Sequence, residues 1–139
     1  MKILAVIPAR GGSQRVKNKN IRVLNYHPLI SYSIQSAKKT RVFDRIIVST
    51  DSKIIKEVAL YYGAEVPFLR PRNISTSKSI DYQWITHVLD ETKKIYNVEY
   101  DYLAILRPTT PQRSSETIVK AVNKLIKNKN YDSIRAVSK

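Results

Sequence analysis

The chain has 139 residues, of which 42% are hydrophobic, no cysteine and a formal net charge of +14. These values fit one soluble globular α/β domain with one core, and exclude disulfides, zinc–thiolate sites and thiol catalysis. No apolar run is long enough to cross a bilayer or act as a signal peptide. In chain order, residues 2–8 read as a buried strand that breaks at Pro8. Pro28 suits the first turn of a helix carrying Leu29, Ile30, Ile34 and Ala37 on one side. Residues 45–49 form a second strand. Thr50 or Asp51 then caps a helix with Ile54, Ile55, Val58, Ala59 and Tyr62 on its apolar face, closed by Gly63. Residues 65–68 read as a short third strand and 70–78 as a polar, proline-broken loop. Ile80, Trp84, Ile85, Val88, Leu89, Thr92, Ile95 and Tyr96 recur at spacings of three and four and mark a long helix. A strand at 102–106 stops before Pro108 and Pro111. Ser114 or Ser115 caps a helix bearing Ile118, Val122, Leu125 and Ile126, and residues 133–137 read as a last strand. Alternation of this kind argues for a mostly parallel sheet with helices on both faces, joined by right-handed crossovers.

The loop after the first strand carries the chemistry. Gly11 and Gly12 are two of only three glycines in the chain, and they follow a strand end, where open α/β sheets bind ligands. Glycine allows a sharp turn and a close approach to a ligand. Arg10, Arg15, Lys17 and Lys19 surround the pair with positive charge suited to a polyphosphate. The spacing fits neither a Walker A loop nor a three-glycine dinucleotide fingerprint. What remains is a loop that holds phosphate with side-chain cations as well as backbone amides. It suits a nucleoside triphosphate whose pyrophosphate must be stabilised as it leaves. The net charge also invites a nucleic-acid reading. Against it, the basic residues are spread in singles and pairs, and no aromatic residue interleaves with the loop as a stacking platform. The charge is read instead as attraction for small anionic substrates.

Four ordered segments carry a family resemblance. They are VIPARGGSQR at 6–15 with KNI at 19–21, DRIIVSTD at 44–51, FLRP at 68–71 and LRPTTPQR at 106–113. Together they resemble the acylneuraminate cytidylyltransferases, the CMP-sialic acid synthetases and their relatives, over essentially the whole chain. The resemblance implies a three-layer, Rossmann-like fold of the nucleotide-diphospho-sugar transferase type. It also implies a cytoplasmic enzyme that couples a nonulosonic sugar acid to CTP, giving the CMP-sugar and pyrophosphate. The family continues well past Lys139, with its dimerisation element and a magnesium-binding aspartate pair there. The chain therefore reads as an N-terminal nucleotide-binding portion, poorly active or inactive alone, whose magnesium ligands lie downstream.

Carried over residue by residue, the resemblance puts Arg10 and Arg15 on the triphosphate as the catalytic cations. Gly11, Gly12 and Ser13 form the nucleotide loop, and Lys19 gives electrostatic support. Asn20 contacts the nucleotide or serves as a turn residue. Arg70 lies at the cytosine and ribose. Ser79 lies at the base or caps the following helix. Arg107, Thr109 and Thr110 face the sugar. Two departures bear on the chemistry: Gln14 stands where the family most often has a phosphate-directed lysine, and Lys17 where a proline is common. At 107 the family typically has glutamine; the arginine present suits the sugar's carboxylate or signals a different nonulosonic acid. Asp51 and Asp81 read as helix-start residues, and His27 and His87 as structural or surface residues. Two other functions stay open: a nucleotidyltransferase for another sugar acid or sugar phosphate, and a non-catalytic basic module for nucleic acid or another polyanion.

Overall fold

The computed structural model describes residues 1–13 and 15–137; Gln14 lies outside them. Strand β1 (Ile3–Pro8) is apolar along its length and buried on both faces, as a central parallel strand must be. It pairs in parallel with β4 (Arg45–Ser49) on one side and β5 (Tyr102–Ile105) on the other, giving the order β4-β1-β5. A small antiparallel hairpin, β2 (Val23–Leu24) and β3 (His27–Pro28), stands apart from this sheet.

The pleat of β1 sends alternate residues to two cores. Ala5 and Ile7 pack with Ile30, Ile34 and Ala37 of α1 (Leu29–Thr40), Ile55 and Ala59 of α2 (Lys53–Tyr61), and Ile118 of α4 (Ser115–Lys127). Leu4 and Val6 pack on the other face with Trp84 and Val88 of α3 (Asp81–Tyr96). The result is a three-layer α/β arrangement. Among the described residues the crowded face holds three helices and the opposite face only α3, which leaves Ile80, Leu89 and Ile95 of the expected stripe exposed.

Three expected local features differ. The cap of α2 is neither Thr50 nor Asp51: Ser52 Oγ accepts from the Ile55 amide at 3.3 Å. Residues 65–68 make a single parallel bridge, Ile47 to Glu65, instead of a strand. Pro67 has no amide to continue the ladder, and the chain turns inward so that the Arg70 amide reaches Thr50 O at 2.7 Å. Residues 133–137 form no strand, and Ile134 and Val137 are exposed. A β-branched run becomes a strand only when a neighbour shares its ladder and a layer covers it. Elsewhere the capping logic holds: Ser114 Oγ accepts from the Thr117 amide at 3.1 Å. Gly63 follows α2 at φ +91°, a conformation that favours glycine.

Two positions carry a cost. The two-residue hairpin turn has positive φ at both Asn25 (48°) and Tyr26 (73°), the type I′ pattern that favours glycine at its second position. Tyr26 is 95% exposed and so recovers little by packing. Tyr26→Gly is therefore expected to raise stability by about 1 kcal/mol in urea denaturation. On α3, His87 meets Phe68 edge-to-face with ring centroids 5.0 Å apart, and its Nδ1 is buried without a partner. Burial holds its pKa below the ordinary histidine value. The unfolded chain is protonated first as pH falls, so stability drops from the unfolded histidine pKa down to the folded one. His87→Leu is expected to lose less stability than the parent between about pH 7 and 5 in a urea series.

Candidate active site

The C-terminal ends of β1, β4 and β5 open on one crevice, and the segments beyond them bring Arg10, Arg70 and Arg107 to the walls of a cavity of about 490 Å³. Arg15 and Lys19 join them from the loop after β1. Among the described residues, Arg10, Arg15, Lys19 and Arg70 make no ion pair. Four cations thus face one cavity without a carboxylate bound to any of them.

Arg70 is the most deeply set, at 5% exposure. Its Nε donates to Ser49 Oγ at 3.0 Å and its Nη2 to Ser49 O at 2.8 Å, and its guanidinium sits 5.7 Å from the Trp84 ring centroid. Burial lowers its pKa to about 10; Asp51 opposes the shift and the nearby charge of Arg10 adds to it. It therefore stays cationic at neutral pH. Its depth makes it a fixed charge, whereas Arg15 is exposed.

The loop after β1 is held by its neighbours. Asp51 Oδ1 accepts from the Gly11 amide at 2.8 Å, and Asn20, nearly buried, donates from Nδ2 to Arg10 O at 3.1 Å. A Cβ at Gly11 would lie 3.0 Å from Ser52 Cβ, so glycine here answers a close approach to the start of α2. A Cβ at Gly12 would meet nothing. Neither glycine has positive φ, so the turn they make does not draw on the left-handed conformation that favours glycine. The Ser13 amide closes a tight turn on Gly11 O at 3.1 Å.

Of the expected site residues, Arg10, Ser13, Arg15, Lys19, Asn20, Arg70, Ser79, Arg107 and Thr109 line the cavity. Gly11, Gly12 and Thr110 do not. The Thr110 amide instead turns back to Arg107 O. Ser79 is not a side-chain cap for α3: its Oγ accepts from the Thr76 amide at 2.9 Å and bonds Thr76 Oγ1 at 3.0 Å. Asn20 performs its backbone task and lines the cavity as well. Sequence reasoning passed over Thr76 and Ser77 and read Asp81 and Trp84 only as helix residues, yet all four are on the cavity wall. Trp84 reads as core from its helical spacing, and it is core, at 3% exposure; its indole edge also reaches the cleft. Asp81 pairs with Arg107 there. Its place in the first turn of α3 gives no sign of that partner, which lies on a distant loop.

No group of three or more carboxylate or histidine side chains able to hold a metal occurs among the described residues. Asp51 and Asp81 are engaged with Gly11 and Arg107 respectively. The magnesium implied by the resemblance thus does not fit the donors present here.

The cationic crevice lies at the strand ends of a parallel α/β sheet with helices on both faces, the place where open sheets of this class bind ligands. A solved structure of CMP:2-keto-3-deoxy-manno-octonic acid synthetase complexed with CTP shares that fold, with a TM-score of 0.74 at 17% identity over 92% of this chain and 48% of that one. The chain belongs to the cytidylyltransferase family, whose model matches residues 4–138. It is 43% identical over 122 residues to the CMP-N,N'-diacetyllegionaminic acid synthase of Legionella pneumophila, covering 88% of this chain and 52% of that protein. It is 37% identical over 138 residues to the N-acylneuraminate cytidylyltransferase of Escherichia coli, covering 99% of this chain and 32% of that protein. It therefore spans about half the length of the first relative and about a third of the second.

Removing the carboxylate that holds the loop tests the geometry directly. Asp51→Ala leaves the Gly11 amide without its acceptor and is expected to cost about 1–2 kcal/mol of stability in urea denaturation. The Gly11 and Ser13 amides should exchange faster with solvent. Asp51→Asn, which keeps an acceptor oxygen, should move both readouts much less.

Proposed function

We propose that residues 1–139 are one domain, the nucleotide-binding portion of a cytidylyltransferase that activates a nonulosonic sugar acid with CTP. The convergence of Arg10, Arg15, Lys19 and Arg70 on one cavity carries this reading. In the reaction the anomeric hydroxyl of the sugar acid attacks the α-phosphorus of CTP in line. The new O–P bond forms as the bond to the bridging oxygen breaks, the hydroxyl proton is lost, and pyrophosphate departs. Such a transfer asks for positioning and charge stabilisation more than covalent work by the protein.

Arg10 and Arg15 take the triphosphate and neutralise the charge that grows on the leaving pyrophosphate. Lys19 supplements them, and Ser13 with the backbone at Gly11 and Gly12 borders the phosphates. Asn20 fixes the carbonyl of Arg10 and so the path of that arginine's backbone. Arg70, with Ser79 across the cavity, lies on the base and ribose side. Arg107, Thr109 and Thr110 form the acceptor side, where the guanidinium of Arg107 suits a sugar carboxylate. That arginine also supports a second reading in which the acceptor is another sugar acid or a sugar phosphate. A divalent cation, magnesium by family resemblance, would neutralise phosphate charge, and no cluster of three or more metal-ligating side chains occurs among the described residues. We read the enzyme as cytoplasmic and dimeric on family resemblance. No described helix is long and apolar enough to cross a membrane.

Calorimetry with CTP, ATP, GTP, UTP and a DNA duplex tests the proposal. CTP is expected to bind selectively, and Arg10→Ala to weaken it by about 2 kcal/mol, in the range of a lost charge-assisted contact. Salt-sensitive duplex binding with no preference among nucleotides would sink the enzyme reading in favour of a polyanion-binding module.

A further inference from the structure

Asp81 opens α3 on the cleft wall, and the reaction above leaves it without a task. Among the described residues it is the one carboxylate on a wall that also carries Arg10, Arg15, Lys19, Arg70 and Arg107. A free carboxylate there would repel both anionic substrates. Both of its oxygens are engaged instead. Oδ1 accepts from the indole Nε1 of Trp84 at 3.1 Å, and Oδ2 accepts from Nη2 of Arg107. Trp84 is packed against Leu4, Val6 and Val88 and is almost fully buried. The indole is therefore set by the core, the carboxylate by the indole, and the guanidinium by the carboxylate.

Arg107 needs such a holder. It is exposed, it begins a proline-containing turn, and among the described residues its guanidinium has no other partner than Asp81. A long side chain in that setting samples many rotamers and loses that freedom when a ligand fixes it. The contact with Asp81 uses Nη2 alone, which leaves most of the five guanidinium donors for a ligand. A planar carboxylate matches that fork.

We infer that Asp81 is a positioning residue for the acceptor: anchored by Trp84, it aims Arg107 at the carboxylate of the sugar acid. The inference rests on the cytidylyltransferase reading for the identity of the acceptor, while the Trp84–Asp81–Arg107 relay stands on geometry alone. Asp81 thereby selects for carboxylate-bearing acceptors over neutral sugars without touching them.

The charge change separates positioning from a general field effect. Asp81→Asn removes a negative charge from a cationic cleft, which by Coulomb's law strengthens every anion that binds there. Positioning predicts opposite signs for the two substrates. With the full chain, Asp81→Asn should weaken N-acetylneuraminic acid about tenfold, the loss of one oriented contact, and leave CTP unchanged or slightly tighter. The methyl ester of the same sugar should bind weakly to both proteins and show no such difference. Trp84→Phe, which removes the indole donor and keeps an aromatic ring in the core, should weaken the acid in the same direction. The chain has one tryptophan, so its single indole ¹H–¹⁵N resonance reports on the relay and should shift in Arg107→Ala, although Arg107 is joined to it only through Asp81. Acid binding that is equal or tighter in Asp81→Asn would overturn the inference and mark Asp81 as a competitor for Arg107. Equal loss of acid and CTP would also overturn it, as the sign of a fold defect. An unsubstituted chain that binds CTP but no acid overturns the role of Asp81 and leaves the nucleotide reading intact. One that binds the acid through Asp81 and Arg107 but prefers no nucleotide does the reverse.

Discussion

Ser49 joins the sheet to the cleft. It ends β4, is fully buried, and has both oxygens occupied by the guanidinium of Arg70. Its carbonyl also accepts from the Ala9 amide at 2.9 Å, which ties the exit of β1 to the end of β4. One residue thus fixes where the loop of Arg10 begins and where Arg70 sits. A buried guanidinium without such partners would be strongly unfavourable. With them, the charge can be kept in the interior, and it then faces the cleft with little freedom left to lose on binding. The order of the cleft around Arg10 and Arg70 follows from that arrangement.

The same crowding sets a limit on stability. Like charges around one cavity repel in the absence of ligand, and the low dielectric near Arg70 strengthens that repulsion. Burial lowers the pKa of Arg70 and the nearby charge of Arg10 adds to that, while Asp51 and Asp81 oppose it. A polyanion bound there would supply negative charge and so stabilise the folded form. Asp51 and Asp81 offset part of the repulsion at Arg70 through space, while their hydrogen bonds go to the Gly11 amide and to Arg107 and Trp84. The cations that would meet the triphosphate are left without carboxylate partners.

The sequence made the sheet legible where hydrophobic pattern alone decides the outcome. The central strand, the four helices and the strand ends that open on the cleft follow from the periodicity of apolar residues. The pattern failed where a tertiary partner decides. Residues 65–68 have strand composition, but Pro67 and the inward turn to Thr50 end the ladder after one bridge. Residues 133–137 have strand composition without a neighbour to accept it. In the site, the arginines were legible because each follows a strand or a motif. The engagements of Asp51 and Asp81 were not, since their partners are separated from them by 40 and 26 positions in the chain. Local sequence offers each aspartate a plausible helix-start role, and that local role hides the long-range one.

The two halves of the cleft differ in how firmly they are built. On one side, Arg70 and Asn20 are nearly buried and bonded to backbone or to a buried serine. On the other, Arg107, Thr109 and Thr110 are exposed, and the guanidinium of Arg107 is held by a single carboxylate. A substitution at Arg70 or Asn20 disturbs buried contacts and is costly to folding. One at Arg107, Thr109 or Thr110 changes a surface turn and leaves the sheet untouched. Under the proposed reading, the choice of acceptor would change through Arg107 and its holder without rebuilding the surroundings of Arg70. The glutamine-to-arginine departure at 107, read from the sequence as a question about the acceptor, falls on the part of the fold that tolerates such a change. The partner it acquired, Asp81, is anchored in the core through Trp84. An exposed arginine is thereby given a fixed direction without being buried.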